Sequence, residues 1–201
     1  MSGQASSRLV PFFTNPTFLK GVTTMTVAIN GLDPENLMKV VETVKQNWEV
    51  GRTVWKASTT WKGGFKVETC SREFTLTADE PEMLCGTNTA ANPVEMILQA
   101  YGACLSIGYA MNAAVRGIRI DDIKIDLEGE IDLPGFLGLE PPEKLHMDKL
   151  PGFKTIKAKV KIKADADEKT LRELHKHVVS TSPVGLTLSR PVKIDTNLEV
   201  W

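Results

Sequence analysis

The stretch from Asn92 to Gly117 constrains the fold more than any other part of the chain. Asn92-Pro93-Val94-Glu95 reads as a helix start: Asn caps, Pro takes the first helical position, and Glu falls three residues after the cap, as in a capping box. From Val94 to Val115 the residues are mostly apolar, and Gly117 supplies a natural helix end. The run is long enough to span a bilayer. It nevertheless holds Glu95, Gln99, Ser106 and Asn112, is rich in Ala and Gly, and is surrounded by strands that need a core. We read it as a fully buried helix of a soluble protein, with no membrane partner. One small sheet does not cover a helix that is apolar all round, so a second protomer is expected on its other face.

Strands are expected on both sides. Val22 to Ile29 reads as a short strand after an irregular arm, Met1 to Lys20. Asp33-Pro34-Glu35 starts a helix on which Leu37, Val40, Val41 and Val44 recur at helical spacing. From Arg52 to Trp61 the rhythm is period two, Lys62-Gly63-Gly64 is a hairpin turn, Phe65 to Cys70 is the return strand, and Glu73 to Thr77 continues the sheet. Ala78 to Ala91 reads as a loop. Ile118 to Ile131 alternates with a parity break at Asp121-Asp122, which predicts a bulge. Phe153 to Ala164 alternates apolar residues with Lys157, Lys159, Lys161 and Lys163. That lysine stripe matches Asp126, Glu128 and Glu130 on the preceding strand, so cross-strand ion pairs explain it better than nucleic acid does. Leu133 to Gly152 reads as a long loop, Asp167 as the cap of a last main helix, and Val192 to Val200 as a closing strand. The expected class is α+β, with an N-terminal arm and β-α extension over 1–50 and the main domain over 51–201.

The charge balance excludes some partners. Lys and Arg total 24 against 25 Asp and Glu, a net charge of −1, which gives no reason to expect nucleic acid. The three cysteines, Cys70, Cys85 and Cys104, form neither a disulfide framework nor a zinc spacing, and fit a reducing, cytoplasmic compartment. Met1 to Ser7 is polar with no signal-like apolar core after it. No dinucleotide fingerprint, phosphate loop or nucleophile elbow is present, and no cofactor or metal is expected.

Cys104 is the centre of chemical interest. It lies well inside the apolar helix, too far from the Asn92 cap for the helix dipole to act on it. Read alone, it is a small core residue. Glu95 is explained by its capping-box position, and would otherwise serve as a base or an orienting carboxylate. His175 falls in the apolar stripe of the last main helix, as a core histidine or a base near Ser182. His177 faces away, so the two are no metal pair.

Together these residues carry a resemblance. Gly86-Thr87-Asn88, Asn92-Pro93-Val94-Glu95 and Ala100-Tyr101-Gly102-Ala103-Cys104 resemble the first signature of the OsmC/Ohr family, the osmotically inducible and organic hydroperoxide resistance proteins. Ser182-Pro183-Val184, followed by Leu186 and Leu188, resembles the second, where a Cys-Pro-Val type motif opens a short helical turn. The likeness runs from about Arg52 to Val200. It implies an intertwined homodimer in which antiparallel sheets wrap a long buried central helix, with two active sites at the interface. It also implies thiol-dependent reduction of hydroperoxides: Cys104 attacks the peroxide and becomes a sulfenic acid, a second cysteine condenses with it, and an external thiol resets the enzyme.

The chain departs from that pattern at three places. Ser182 stands at the resolving position, Val94 stands where the hydroperoxide branch has a catalytic Glu, and Phe65 stands where it has an Arg. Sulfenic acid at Cys104 is then left to an external thiol or to Cys70 or Cys85. The alternative expectation is a non-catalytic dimer of the same fold, binding a small hydrophobic ligand in the cavity near Cys104.

Overall fold

The computed structural model describes residues 28–139 and 151–200. The arm Met1 to Lys20, most of the strand expected at Val22 to Ile29, and the middle of the loop expected at Leu133 to Gly152 lie outside the described residues. The chain divides into two compact units, Met1–Pro93 and Val94–Trp201.

In the first unit, helix α1 (Pro34–Gln46) starts where Asp33 accepts from the backbone N–H of Glu35 and Asn36, with Pro34 in the first turn. Among the described residues Ile29 pairs with Leu32, in an isolated bridge. Strands β1 (Ser58–Gly63), β2 (Lys66–Ser71) and β3 (Phe74–Ala78) form an antiparallel sheet in the order β1-β2-β3. The hairpin at Gly63 and Gly64 uses positive φ at both residues, as its tight turn requires. β1 is shorter than the period-two pattern predicts. Ser58 pairs with Cys70 near the end of β2, and the chain turns at Arg72 (φ 56°), so residues 52–57 have no ladder to join.

The expected loop after β3 has an unforeseen organiser. Asp79 is buried, and its carboxylate accepts from the Thr87 and Thr89 hydroxyls and from the backbone N–H groups of Glu80, Thr87 and Thr89. The Thr87 hydroxyl first, then the other donors, hold this carboxyl well below the usual range against the opposing effect of burial. Gly86 is required here: a Cβ on it would stand 1.8 Å from the Glu80 carbonyl oxygen. Among the described residues of this unit only Ala78 and Asp79 are buried, while Trp55, Trp61, Phe74 and Leu76 are exposed.

The second unit has a core. Helix α2 (Pro93–Val115) leads through Gly117, at φ 72°, into strand β4 (Ile120–Ile131), which pairs antiparallel with β5 (Phe153–Ala164). The register slips between Ile120 and Asp122, the bulge that the parity break predicts. Lys157 reaches Glu128 at 2.9 Å and Lys163 reaches Asp121 at 3.5 Å across the ribbon, so the two charged stripes pair with each other. These pairs are exposed, so solvent screening leaves each with little weight in stability. A short helix, α3 (Leu133–Phe136), occupies the start of the expected loop. Asp167 accepts from Thr170 N–H and starts α4 (Glu168–Thr181), which Ser182 separates from α5 (Pro183–Ser189).

Leu105, Tyr109 and Ala113 of α2 close on Leu174 and Val178 of α4, with Ile123, Ile125, Val160 and Ile162 of the ribbon packed against them. Each fully buried Leu or Val here contributes about 1.5–3 kcal/mol of transfer free energy. Two findings bear on the expectations. Within one chain α2 is buried on one face only: Ile97, Ile107, Met111 and Val115 are exposed, because α4 and a two-stranded ribbon cover a single stripe. The closing strand at Val192 to Val200 is not formed: residues 191–200 are exposed and carry no strand pairing. Alternation marks the two sides of an extended segment, but a strand also needs a neighbouring edge.

Candidate active site

Ser182 is where the last long helix breaks. The ring of Pro183 disfavours helical geometry at the residue before it, and Ser182 adopts φ −67°, ψ 113°. Pro183 then opens α5, and the Ser182 hydroxyl accepts from the Gly185 backbone N–H at 3.0 Å. Gly185 allows the first turn of α5 to sit close against α2, since a Cβ there would meet the Tyr101 ring at 2.8 Å and Ser182 Oγ at 3.1 Å.

One turn after Tyr101 on α2 comes Cys104. Its Sγ lies 3.2 Å from Ser182 Oγ, joining residues 78 positions apart. Ser182 is 4% exposed, while Cys104 is partly buried and has no disulfide. Two grooves open on neighbouring turns of α2 and α5, and neither is lined by Cys104 or Ser182 themselves. One, of about 410 Å³, runs past Val94, Ile97, Tyr101 and Gly185 toward Phe153 and Ile156. Its edge carries Lys154, which is paired with Asp132 at 3.3 Å. The other, of about 270 Å³, lies between Ile97 and Ala100 of α2 and Pro183 and Val184 of α5.

Of the remaining candidates, Glu95 is placed apart from this pair. Glu95 sits in the first turn of α2, where a carboxylate suits the positive helix end. On a regular helix it stands about 13 Å along the axis from Cys104 and on the opposite face. The structure does not bring the two together within one chain. In the other unit, Cys70 lies on β2 against the Thr75 hydroxyl at 3.3 Å, and Cys85 is exposed at φ 66°. His177 is exposed. Among the described residues there is no cluster of His, Cys, Asp and Glu that would hold a metal ion.

His175 is not the buried core histidine that its stripe suggests. Its residue is exposed, while Nδ1 bonds the hydroxyl of Tyr109, which is 1% exposed. Burial, with a smaller contribution from the Tyr101 charge, pushes the Tyr109 hydroxyl up to about 12, so it is neutral at physiological pH. His175→Ala leaves that hydroxyl buried without its partner, and is expected to destabilise the fold by about 1–3 kcal/mol. Tyr109→Phe, which removes the hydroxyl itself, is expected to cost less. Urea melts of the two variants make the comparison, and equal losses would mean that ring packing dominates.

The family model described as OsmC-like protein matches residues 86–197, more than half of the chain. The chain belongs to the OsmC-like family. Solved structures of similar fold include an OsmC-like protein from Mycoplasma pneumoniae, at 17% identity over 68% of this chain and 88% of that one, with a TM-score of 0.57. Another is an OsmC-like protein of unknown function from Vibrio cholerae, at 9% identity over 68% and 94%, with a TM-score of 0.55. A third is a hypothetical protein from Aquifex aeolicus, at 17% identity over 69% and 89%, with a TM-score of 0.53. At these identities the likeness is one of fold. No curated protein matches the sequence. Among the described residues no helix is long and apolar enough to cross a membrane.

Proposed function

We propose that this chain is a cysteine-based reductase of organic hydroperoxides, acting in the cytoplasm in defence against oxidative stress. Cys104 is its peroxidatic thiol. The contact between Cys104 Sγ and Ser182 Oγ at 3.2 Å carries this reading, because it joins the two family signatures at one point. In the reaction the Cys104 thiolate attacks one oxygen of the peroxide. The S–O bond forms as the O–O bond breaks, and the departing alkoxide takes a proton to leave as an alcohol. Ser182 provides no second sulfur, so an external thiol attacks the sulfenic acid and releases water. A second thiol then frees Cys104 and carries away the disulfide. The apolar groove formed by Ile97 and Ala100 with Pro183 and Val184, the residues that follow Ser182, supports an organic peroxide over hydrogen peroxide. The assignment rests on Cys104 and Ser182, with Glu95 left to its place at the helix start.

The test is the order of oxidation. One equivalent of cumene hydroperoxide should oxidise Cys104 ahead of Cys70 and Cys85, read by mass spectrometry of dimedone adducts. Equal labelling of the three would count against catalysis. The second reading, a binding protein for a small hydrophobic molecule, is supported by the same apolar groove and by the serine at the resolving position. It predicts ligand binding with no turnover.

The working form is an intertwined homodimer with α2 at its centre. Its support is the exposed apolar stripe of Ile97, Ile107, Met111 and Val115, the scarcity of buried residues among those described in the first unit, and the unpaired extended segment at 191–200. An obligate pairing of this kind buries more than about 2,000 Å². Sedimentation at micromolar concentration should give a dimer, and a folded monomer would overturn the assignment.

A further inference from the structure

Ser182 does more than stand in for a missing cysteine. Its hydroxyl oxygen already accepts from the Gly185 N–H at 3.0 Å, the bond that caps α5. The hydroxyl hydrogen is not used by that bond, and the sulfur of Cys104 lies 3.2 Å away. Ser182 is 4% exposed, so water does not compete freely for that hydrogen. A thiolate has no proton to give, so once Cys104 ionises the direction of the bond is fixed: the hydroxyl donates and the sulfur accepts.

We infer that Ser182 is a positioning residue for Cys104, donating to its thiolate a hydrogen bond whose direction is set by the Gly185 cap. This rests on Cys104 being the reactive thiol. A cysteine at 182 would be a weak donor, so the serine exchanges resolving power for a better hydrogen bond to the attacking sulfur. The cap and the donation are coupled. Gly185 fixes the oxygen, the oxygen aims its hydrogen, and the hydrogen fixes the sulfur.

The other ionisable side chains of α2 are Tyr101 and Tyr109, each within two turns of Cys104, and the distant Glu95 on the opposite face, while α5 has none. The last turns of α4 leading to Ser182 carry His175, bonded to Tyr109, and the exposed Lys176 and His177. The test therefore begins above the ordinary imidazole range, at about pH 7.5.

The probe is iodoacetamide, which alkylates the thiolate and needs no peroxide. The rate at Cys104 is followed by mass spectrometry in the full chain. A hydrogen bond raises the thiolate fraction but lowers the nucleophilicity of each thiolate, returning about half of the gain on a logarithmic scale. Ser182→Ala should therefore slow alkylation about threefold to tenfold at pH 7.5. At about pH 10, where an ordinary thiol is ionised in both proteins, the alanine variant should react as fast as the parent or faster. Ser182→Thr, which keeps both cap and donor, should restore the parent profile. Should threonine's extra methyl group prevent folding, as judged by a thermal melt, Ser182→Asn supplies an acceptor and a donor instead. No slowing at pH 7.5, an equal change at both pH values, or failure of the hydroxyl or amide variant to rescue would each overturn the inference. Because no peroxide is used, failure here is separate from failure of the reductase reading, which the order of peroxide oxidation decides.

Discussion

Cys104→Ser should lower the turnover of organic hydroperoxide by about three orders of magnitude or more, with little change in fold. An alcohol is barely ionised at neutral pH, and its oxygen cannot be oxidised to anything like a sulfenic acid. The substitution changes one atom at a partly buried position, and a hydroxyl at 104 can still bond Ser182 across the 3.2 Å now spanned by sulfur and oxygen. The thermal midpoint should thus stay close to that of the parent. Turnover is measured by loss of cumene hydroperoxide in the presence of dithiothreitol. Activity that survives the change would transfer the chemistry to Cys70 or Cys85. Absence of activity in the parent would leave the binding-protein reading in front.

The second large effect runs the other way. Ser182→Cys should give the site the resolving sulfur it lacks, and dithiol-driven turnover should rise by about tenfold, because resolution becomes intramolecular. The geometry is favourable: the two side-chain atoms already lie 3.2 Å apart, and a disulfide needs about 2.05 Å between sulfurs, a small rotamer adjustment. There is an opposing cost. Cysteine is a poorer cap for α5 than serine, and losing the bond to Gly185 N–H should lower stability by about 1 kcal/mol while the thiols are reduced. The variant should also resist over-oxidation, since its sulfenic acid is consumed before a second peroxide arrives. Peptide mapping after one equivalent of peroxide checks the bond. A variant with no 104–182 disulfide and no faster turnover would mean that either residue 182 is not at the reacting site or Cys104 is not peroxidatic, and would put the binding-protein reading ahead.

Local signals in this chain were readable where one residue dictates the backbone. Pro93 and Pro34 set their helix starts, and Gly63-Gly64 sets its hairpin. The parity break at Asp121-Asp122 marks the bulge because a slip of one residue would turn Ile123 and Ile125 to the wrong face. The charged stripes of β4 and β5 could be matched to each other from the sequence because both keep the same period. What depended on a distant neighbour was not readable. Val192 to Val200 alternates well, but a pattern does not supply an edge to pair with. His175 falls in an apolar stripe, and nothing local shows that its ring bonds a buried tyrosine from α2. Asp79 takes its donors from residues eight and ten positions later, a spacing with no period. The meeting of Cys104 and Ser182 came from family resemblance alone, since 78 residues of spacing carry no local physics.

The loop closed by Asp79 responds to solvent conditions differently from the ribbon. Exposed ion pairs such as Lys157 with Glu128 weaken as salt screens them, over a Debye length of about 8 Å at physiological ionic strength. The bonds to Asp79 come from hydroxyls and backbone amides, which carry no net charge for ions to screen. Acid acts on them by a different route. A carboxyl whose native titration lies below its unfolded value of about 3.9 contributes stability above that value, and loses it as pH falls through the native titration. Across the mildly acidic range the aspartate thus remains charged and the turn at Gly86 stays tied. Ionic strength loosens the lysine stripe first, and only strong acid releases the carboxylate knot.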